Sequence, residues 1–139
     1  LLESWYKKGK YHPLSLKQSI RLVKKMVNIF KDFGVDVIRM GLQASHEMED
    51  RSMVLAGPWH PAFGHLVFSE IMYDKVCNII DTSKILSELK GIVLKVHPRS
   101  ESRLRGDKNN NLKRLNKRYP KVKFSICQDN TIEQDQVEI

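Results

Sequence analysis

Cysteine is scarce in this sequence. Cys77 and Cys127 are the only two in 139 residues, fifty positions apart. Two lone thiols in a lysine-rich chain exclude a disulfide framework and fit a reducing, cytoplasmic compartment, with a single Cys77–Cys127 bridge left open as the alternative. Long apolar runs are missing as well. None approaches the roughly 20 residues of a membrane-spanning helix, and no signal peptide is visible. Histidine does not occur in metal-ligand spacing. His60 and His65 miss the i, i+4 pattern, no acid–histidine pair lies beside them, and His12, His46 and His97 are scattered, so no metal is assigned. There is no internal repeat and no low-complexity tract. The sequence also has no initiator Met and opens inside the amphipathic run Leu1-Leu2-Glu3-Ser4-Trp5-Tyr6, as expected of a piece of a longer protein.

What is present is enough for one ordinary core, since 41% of the residues are hydrophobic. The net charge of +8 is unevenly spread. From Lys90 to Lys123 twelve Lys or Arg face only Glu101 and Asp107, a net +10, while the remainder carries −2. The last third therefore reads as a basic module on a near-neutral body.

Residues 1–8 read as the end of a helix stopped by Gly9. Ser15 and Gln18 form a capping box, so a helix starts there. Leu16, Ile20, Val23, Val27, Phe30 and Phe33 recur every three or four residues as its core stripe, and Gly34 is its C-cap. A strand from Val35 to Gln43 follows at once, as in α/β units. Alternation sends Ile38, Met40 and Leu42 to a buried face and Arg39, Gly41 and Gln43 to a face that serves water, a ligand or a cavity. After a polar loop to Ser52, the Gly57-Pro58 and His60-Pro61 pairs punctuate the chain. A second helix starts near Ala62 and buries Phe63, Leu66, Val67, Ile71, Val76 and Ile79. Lys84 to Leu89 reads as another short helix. The pattern from Ile92 on is strand, short helix, turn at Arg105–Asn109, helix and strand (Val122 to Cys127), with a frayed polar tail from Asp129. The expected divisions are 1–89, the basic β-α-α-β module 90–128, and the tail 129–139.

Several runs taken together resemble a known family. Tyr-Lys-Lys-Gly-Lys-Tyr-His-Pro-Leu-Ser (Tyr6–Ser15), the long helix, Val37–Gln43, Ala-Gly-Pro-Trp-His-Pro-Ala-Phe (Ala56–Phe63) and Leu66-Val67 resemble the C-terminal region of radical SAM proteins. The similar members are often labelled oxygen-independent coproporphyrinogen III oxidase-like, and the region is also similar to the radical SAM half of the Elongator catalytic subunit. The resemblance implies that the chain contributes the last helix and strand of a partial parallel β/α barrel. It also implies a parent enzyme with a 4Fe-4S cluster and S-adenosylmethionine. Radical SAM chemistry commonly uses Cys-x3-Cys-x2-Cys to leave one iron open, and this sequence has no such spacing. The chain by itself is therefore expected to bind no cofactor and to be inactive, with the upstream barrel of the same protein as its partner.

In that picture Arg39 and Gln43 face the barrel interior and Gly41 leaves room there. Active sites at the C-terminal strand ends favour Gln43. The competing reading makes Arg39 an ordinary paired strand charge. Trp59 and His60 either shape a pocket beside the strand or belong to a tightly packed helix start with Pro61 in the first turn. The basic module is comparable to a KH-like fold, whose Gly-x-x-Gly turn clamps a nucleic-acid backbone. The corresponding turn is Gly106-Asp107-Lys108-Asn109, with Asn in place of the second Gly. The cations that suit RNA are Arg99, Arg103, Arg105, Lys108, Lys113, Arg114 and Lys117. A solvated basic helix without RNA is the competing reading, and a structural cap on the barrel is a third.

Overall fold

The computed structural model describes residues 1–42, 54–83 and 90–139. It is an α+β chain that divides into two compact units, Leu1–Val67 and Phe68–Ile139.

Unit 1 is helical. Helix α1 spans Leu2–Lys7. Helix α2 spans Leu16–Asp32 and starts with the expected capping box: the Gln18 N–H donates to Ser15 Oγ at 3.3 Å, and the Ser15 N–H donates to Gln18 Oε1 at 2.8 Å. Gly34 takes φ +68 after the last turn, and the Val35 N–H donates to Phe30 O at 2.8 Å, which ends the helix. The core stripe is only partly used. Val27 is buried, Leu16, Ile20 and Val23 are half-buried, and Phe30 and Phe33 stay exposed at 41% and 81%.

The expected strand is not formed. Val35 to Leu42 is irregular, and Gln43 lies outside the described residues. The expected buried face fails too: Ile38 is 99% exposed and Leu42 68% exposed, with only Met40 half-buried. A strand is held by a hydrogen-bonded neighbour, and no described element of unit 1 offers one. Alternation in sequence specifies a face but cannot supply the strand beside it.

Helix α3 spans Phe63–Thr82, and the boundary between the units falls within it. From Phe68 on it belongs to unit 2 and brings Met72, Tyr73, Val76, Cys77 and Ile80 into the core there. The helix expected at Lys84 to Leu89 lies outside the described residues. Strand β1 (Gly91–Val96) alternates exposed and buried residues without exception, with Ile92, Leu94 and Val96 inside. A single-turn 3-10 helix at Pro98–Ser100, helix α4 (Glu101–Arg105), a second 3-10 turn at Asp107–Asn109 and helix α5 (Asn110–Arg118) lead to strand β2 (Lys123–Gln128). β1 and β2 pair in parallel, with Ile92 opposite Phe124 and Leu94 opposite Ile126. A parallel pair needs a crossover, and α4 and α5 provide it.

The polar C-terminus is not frayed. Residues Val137–Glu138 form β3, antiparallel to β1 with Val137 opposite Val96, giving the sheet order β2-β1-β3. Ile132 and Val137 are buried, and two apolar anchors among polar neighbours are enough to hold the segment when charged groups also receive it. Arg103 Nη1 donates to Asp135 Oδ1 and Oδ2 at 2.6 and 2.5 Å, and Lys75 Nζ donates to Gln136 Oε1 at 2.8 Å.

Candidate functional site

Two places carry chemistry, one in each unit. In unit 1 the loop before α2, the first turns of α2 and the segment 54–63 enclose a half-open cavity of about 390 Å³. Gly41, Trp59 and His60, singled out from sequence, are all among its lining residues, together with Leu22, Val23 and Phe63. Arg39 is exposed, does not line the cavity and is not a free charge. Gly41 is required for two reasons. It takes φ +81, and a Cβ there would sit 3.1 Å from Phe63 Cβ. His60 Nδ1 accepts the Ala62 N–H at 3.1 Å, which fixes the ring at the start of α3.

Ser19 is the residue that sequence reasoning passed over. It is 94% buried on α2, within the apolar stripe between Leu16 and Val23, and its hydroxyl has no partner among the described residues. Trp59 Nε1 is also buried without a partner among the described residues. A polar residue at a stripe position was the available signal for Ser19.

In unit 2 the turn between α4 and α5 is left-handed. Gly106 has φ 71 and ψ 169, Lys108 φ 49 and Asn109 φ 60. A Cβ on Gly106 would lie 2.9 Å from Asn111 Cγ, so the first glycine of the turn is obligatory. Asn109 in place of a second glycine adopts the left-handed conformation that asparagine tolerates.

The cations around this turn divide into two sets. Arg103 is tied to Asp135 and lies 4.3 Å above the Phe68 ring. Arg105 pairs with Glu101 at 2.6 Å. Arg114 makes a two-pronged contact with Glu70 at 2.6 and 2.8 Å and stacks 3.7 Å from the Tyr73 ring. These three arginines hold the fold. Arg99, Lys108, Lys113 and Lys117 are exposed and have no described partner. Asn111, also unforeseen, is buried and donates to Ser69 O at 2.8 Å and to Arg103 O at 3.3 Å, joining α3, α4 and α5 behind the turn.

A family model for the radical SAM C-terminal domain matches residues 1–73. The chain belongs to the radical SAM C-terminal domain family. Comparison with curated proteins finds no match, and comparison with solved structures finds none. The match ends at Tyr73, within α3, so β1, β2 and β3 lie outside it.

Radical SAM family membership implies a 4Fe-4S cluster and S-adenosylmethionine in the parent enzyme. The residues of this radical SAM C-terminal domain do not fit the cluster. Only two thiols exist, Cys77 buried on α3 and Cys127 exposed on β2, and both are free. Among the described residues no group of three His, Cys, Asp or Glu could hold a metal ion. No described helix is long and apolar enough to cross a membrane.

Titration behaviour in unit 2 reflects packing. Burial pushes the Tyr119 hydroxyl well above the usual tyrosine range, helped by the bond it donates to Asp81 Oδ1 at 2.7 Å. Burial also raises Tyr73. The Gln128 amide, and then Arg105, hold the Glu101 carboxyl below its ordinary value. Arg114 is raised chiefly by its bond to Glu70.

Proposed function

We propose that the chain serves a radical SAM enzyme in two ways. Unit 1 supplies the last helix and strand of a partial parallel β/α barrel, and unit 2 is a KH-like accessory module that holds RNA. The first half is supported by the apolar side chains that unit 1 leaves uncovered, Phe33, Ile38 and Leu42 above all, in a segment whose alternation suits a strand. In the full-length enzyme Gln43 and Arg39 would then lie near the substrate, and Gln43→Ala and Arg39→Ala lower turnover without unfolding the protein.

The RNA reading is carried by one observation. Around a left-handed turn that only Gly106 can open, the arginines Arg103, Arg105 and Arg114 are committed to carboxylates. Arg99, Lys108, Lys113 and Lys117 are left exposed to meet an anion. Long-range attraction and phosphate contact need free cations of this kind. The oxygen-independent coproporphyrinogen III oxidase-like label rests on the sequence resemblance. A tetrapyrrole bearing several carboxylates calls for cations around it, and among the described residues no Lys or Arg lines the cavity of unit 1. The RNA substrate or partner is therefore preferred, in a cytoplasmic, reducing setting that keeps both thiols free.

The test is a titration of labelled structured RNA at several salt concentrations. Binding is expected to be weak and to fall steeply with salt. Each of Lys108→Ala and Lys113→Ala should flatten the logarithmic salt slope by about 0.7–0.9. Circular dichroism should show both variants folded. No binding at low salt, or a slope untouched by both substitutions, would leave only a solvated basic surface.

A further inference from the structure

The Gly106 turn and helix α5 present one polar face. The turn exposes Lys108 and Asn109, and the helix continues with Asn110, Lys113, Asn116 and Lys117, all exposed. Asn110, Lys113 and Lys117 recur at three and four residues, and Asn116 follows Lys113 by three, so they share a side of the helix. The opposite side is packed, with Asn111 and Leu115 buried. The outcome is a convex ridge of cations and amides, with Asp107 as the acid beside it. The aromatic rings of unit 2 are committed elsewhere. From Phe68 on, the Phe and Tyr residues are Phe68, Tyr73, Tyr119 and Phe124, and there is no Trp. Tyr73 and Tyr119 are buried. Phe68 is half-buried under Arg103, and Phe124 is half-buried with its ring 6.1 Å from that of Tyr119.

We propose that unit 2 binds the backbone of double-helical RNA in preference to a single strand. The inference rests on the RNA reading above and adds the form of the RNA. A single strand exposes the faces of its bases, and proteins hold it in a groove where those faces stack on aromatic rings. A duplex hides its base faces and offers phosphates and 2′-hydroxyls on a regular surface. A convex ridge without an exposed aromatic ring suits the second and not the first. Lys108, Lys113 and Lys117 meet phosphates. Lys113 and Lys117 stand about 6 Å apart along the helix axis, so both serve one stretch of backbone. The amides of Asn110 and Asn116 each carry donors and an acceptor, and a 2′-hydroxyl both donates and accepts, so the two match. A DNA duplex has the same charge and lacks that hydroxyl. Asp107 opposes the phosphates that the lysines attract.

The experiment titrates the whole chain at one low salt concentration against three labelled probes. They are an RNA duplex of about 16 base pairs, a DNA duplex of the same sequence, and a single-stranded oligouridine with the same number of phosphates. The DNA duplex controls for charge density. The RNA duplex is expected to bind several-fold more tightly than either of the others. Asn116→Ala should narrow the gap between the RNA and DNA duplexes without lowering the thermal midpoint, because the side chain is exposed and alanine favours a helix. Asn110→Ala is the second variant for the same readout. Asp107→Asn should tighten binding of the RNA duplex. Oligouridine bound as tightly as the RNA duplex overturns the inference and leaves the RNA reading standing. A DNA duplex bound as tightly as the RNA duplex overturns it as well, since charge alone then accounts for the binding. No binding of either RNA overturns the RNA reading itself, and the inference with it.

Discussion

At the scale of single residues, Gly106 and Asn111 act as a pair. Gly106 holds a backbone conformation that L side chains rarely adopt, and Asn111 fills the space where a Cβ would point. Gly106→Ala must strain the turn and push Asn111 off its partners on α3 and α4. A loss of about 1–3 kcal/mol is expected, read from denaturant unfolding. Asn111→Ala leaves the Ser69 and Arg103 carbonyls without their donor and should cost a similar amount, about 1–3 kcal/mol. Gly41→Ala should weaken unit 1 instead, since its new Cβ meets Phe63. Leu104, fully buried, is an ordinary packing position: Leu104→Ala should cost about 2–5 kcal/mol through lost burial and the cavity left behind. A Gly106→Ala variant as stable as the parent chain would refute the reading of the turn.

At the scale of elements, the C-terminal segment is the clearest case. β3 is only two residues long, yet Asp135 fastens its approach. Its carboxylate takes both bonds from Arg103, its N–H donates to Ser100 Oγ at 2.9 Å, and its carbonyl accepts from Lys75 at 2.5 Å. Asp135→Ala should free the segment while leaving β1 and β2 paired. Amide exchange at Val137 should then rise well before exchange at Leu94 or Ile126. The same network changes how Arg103 is read. Arg103→Ala should lower RNA affinity only together with stability, whereas Lys108→Ala should spare stability. Equal stability losses in the two would contradict the division of cations into structural and free.

At the scale of the whole molecule, burial and charge are distributed unequally. Unit 2 owns a continuous core from α3, the sheet, α4 and α5, whereas unit 1 leaves Phe33, Ile38 and Leu42 largely exposed. Native-state amide exchange should therefore be faster in α2 than in β1, because local stability follows buried apolar contact. Unit 2 holds the buried groups that make stability depend on pH. Burial raises the Tyr119 hydroxyl above its unfolded value, so its contribution to stability is complete below the ordinary tyrosine range. That contribution is lost as pH rises through the folded value. Glu101 works the other way: its carboxyl is depressed, so its small, solvent-screened contribution is present above the unfolded value and lost as pH falls. Thermal midpoints across alkaline pH should decline less in Tyr119→Phe than in the parent chain.

Local signals in the sequence were sufficient where neighbours in the chain complete the interaction. Ser15 with Gln18 and Gly34 set the ends of α2. Alternation from Ile92 to Val96 set β1, and the charge count marked the basic stretch from Lys90 to Lys123. Family membership was legible in the ordered runs between Tyr6 and Val67. Tertiary structure decided the rest, because those features depend on groups far apart in sequence. Asp135 reaches Arg103 across thirty-two positions, and Asn111 reaches Ser69 across forty-two. Ser19 and the segment around Trp59, forty positions apart, line one cavity only in the folded chain. The alternating run from Val35 to Leu42 forms no strand, since a pattern of faces in one segment cannot hydrogen-bond without a second strand next to it.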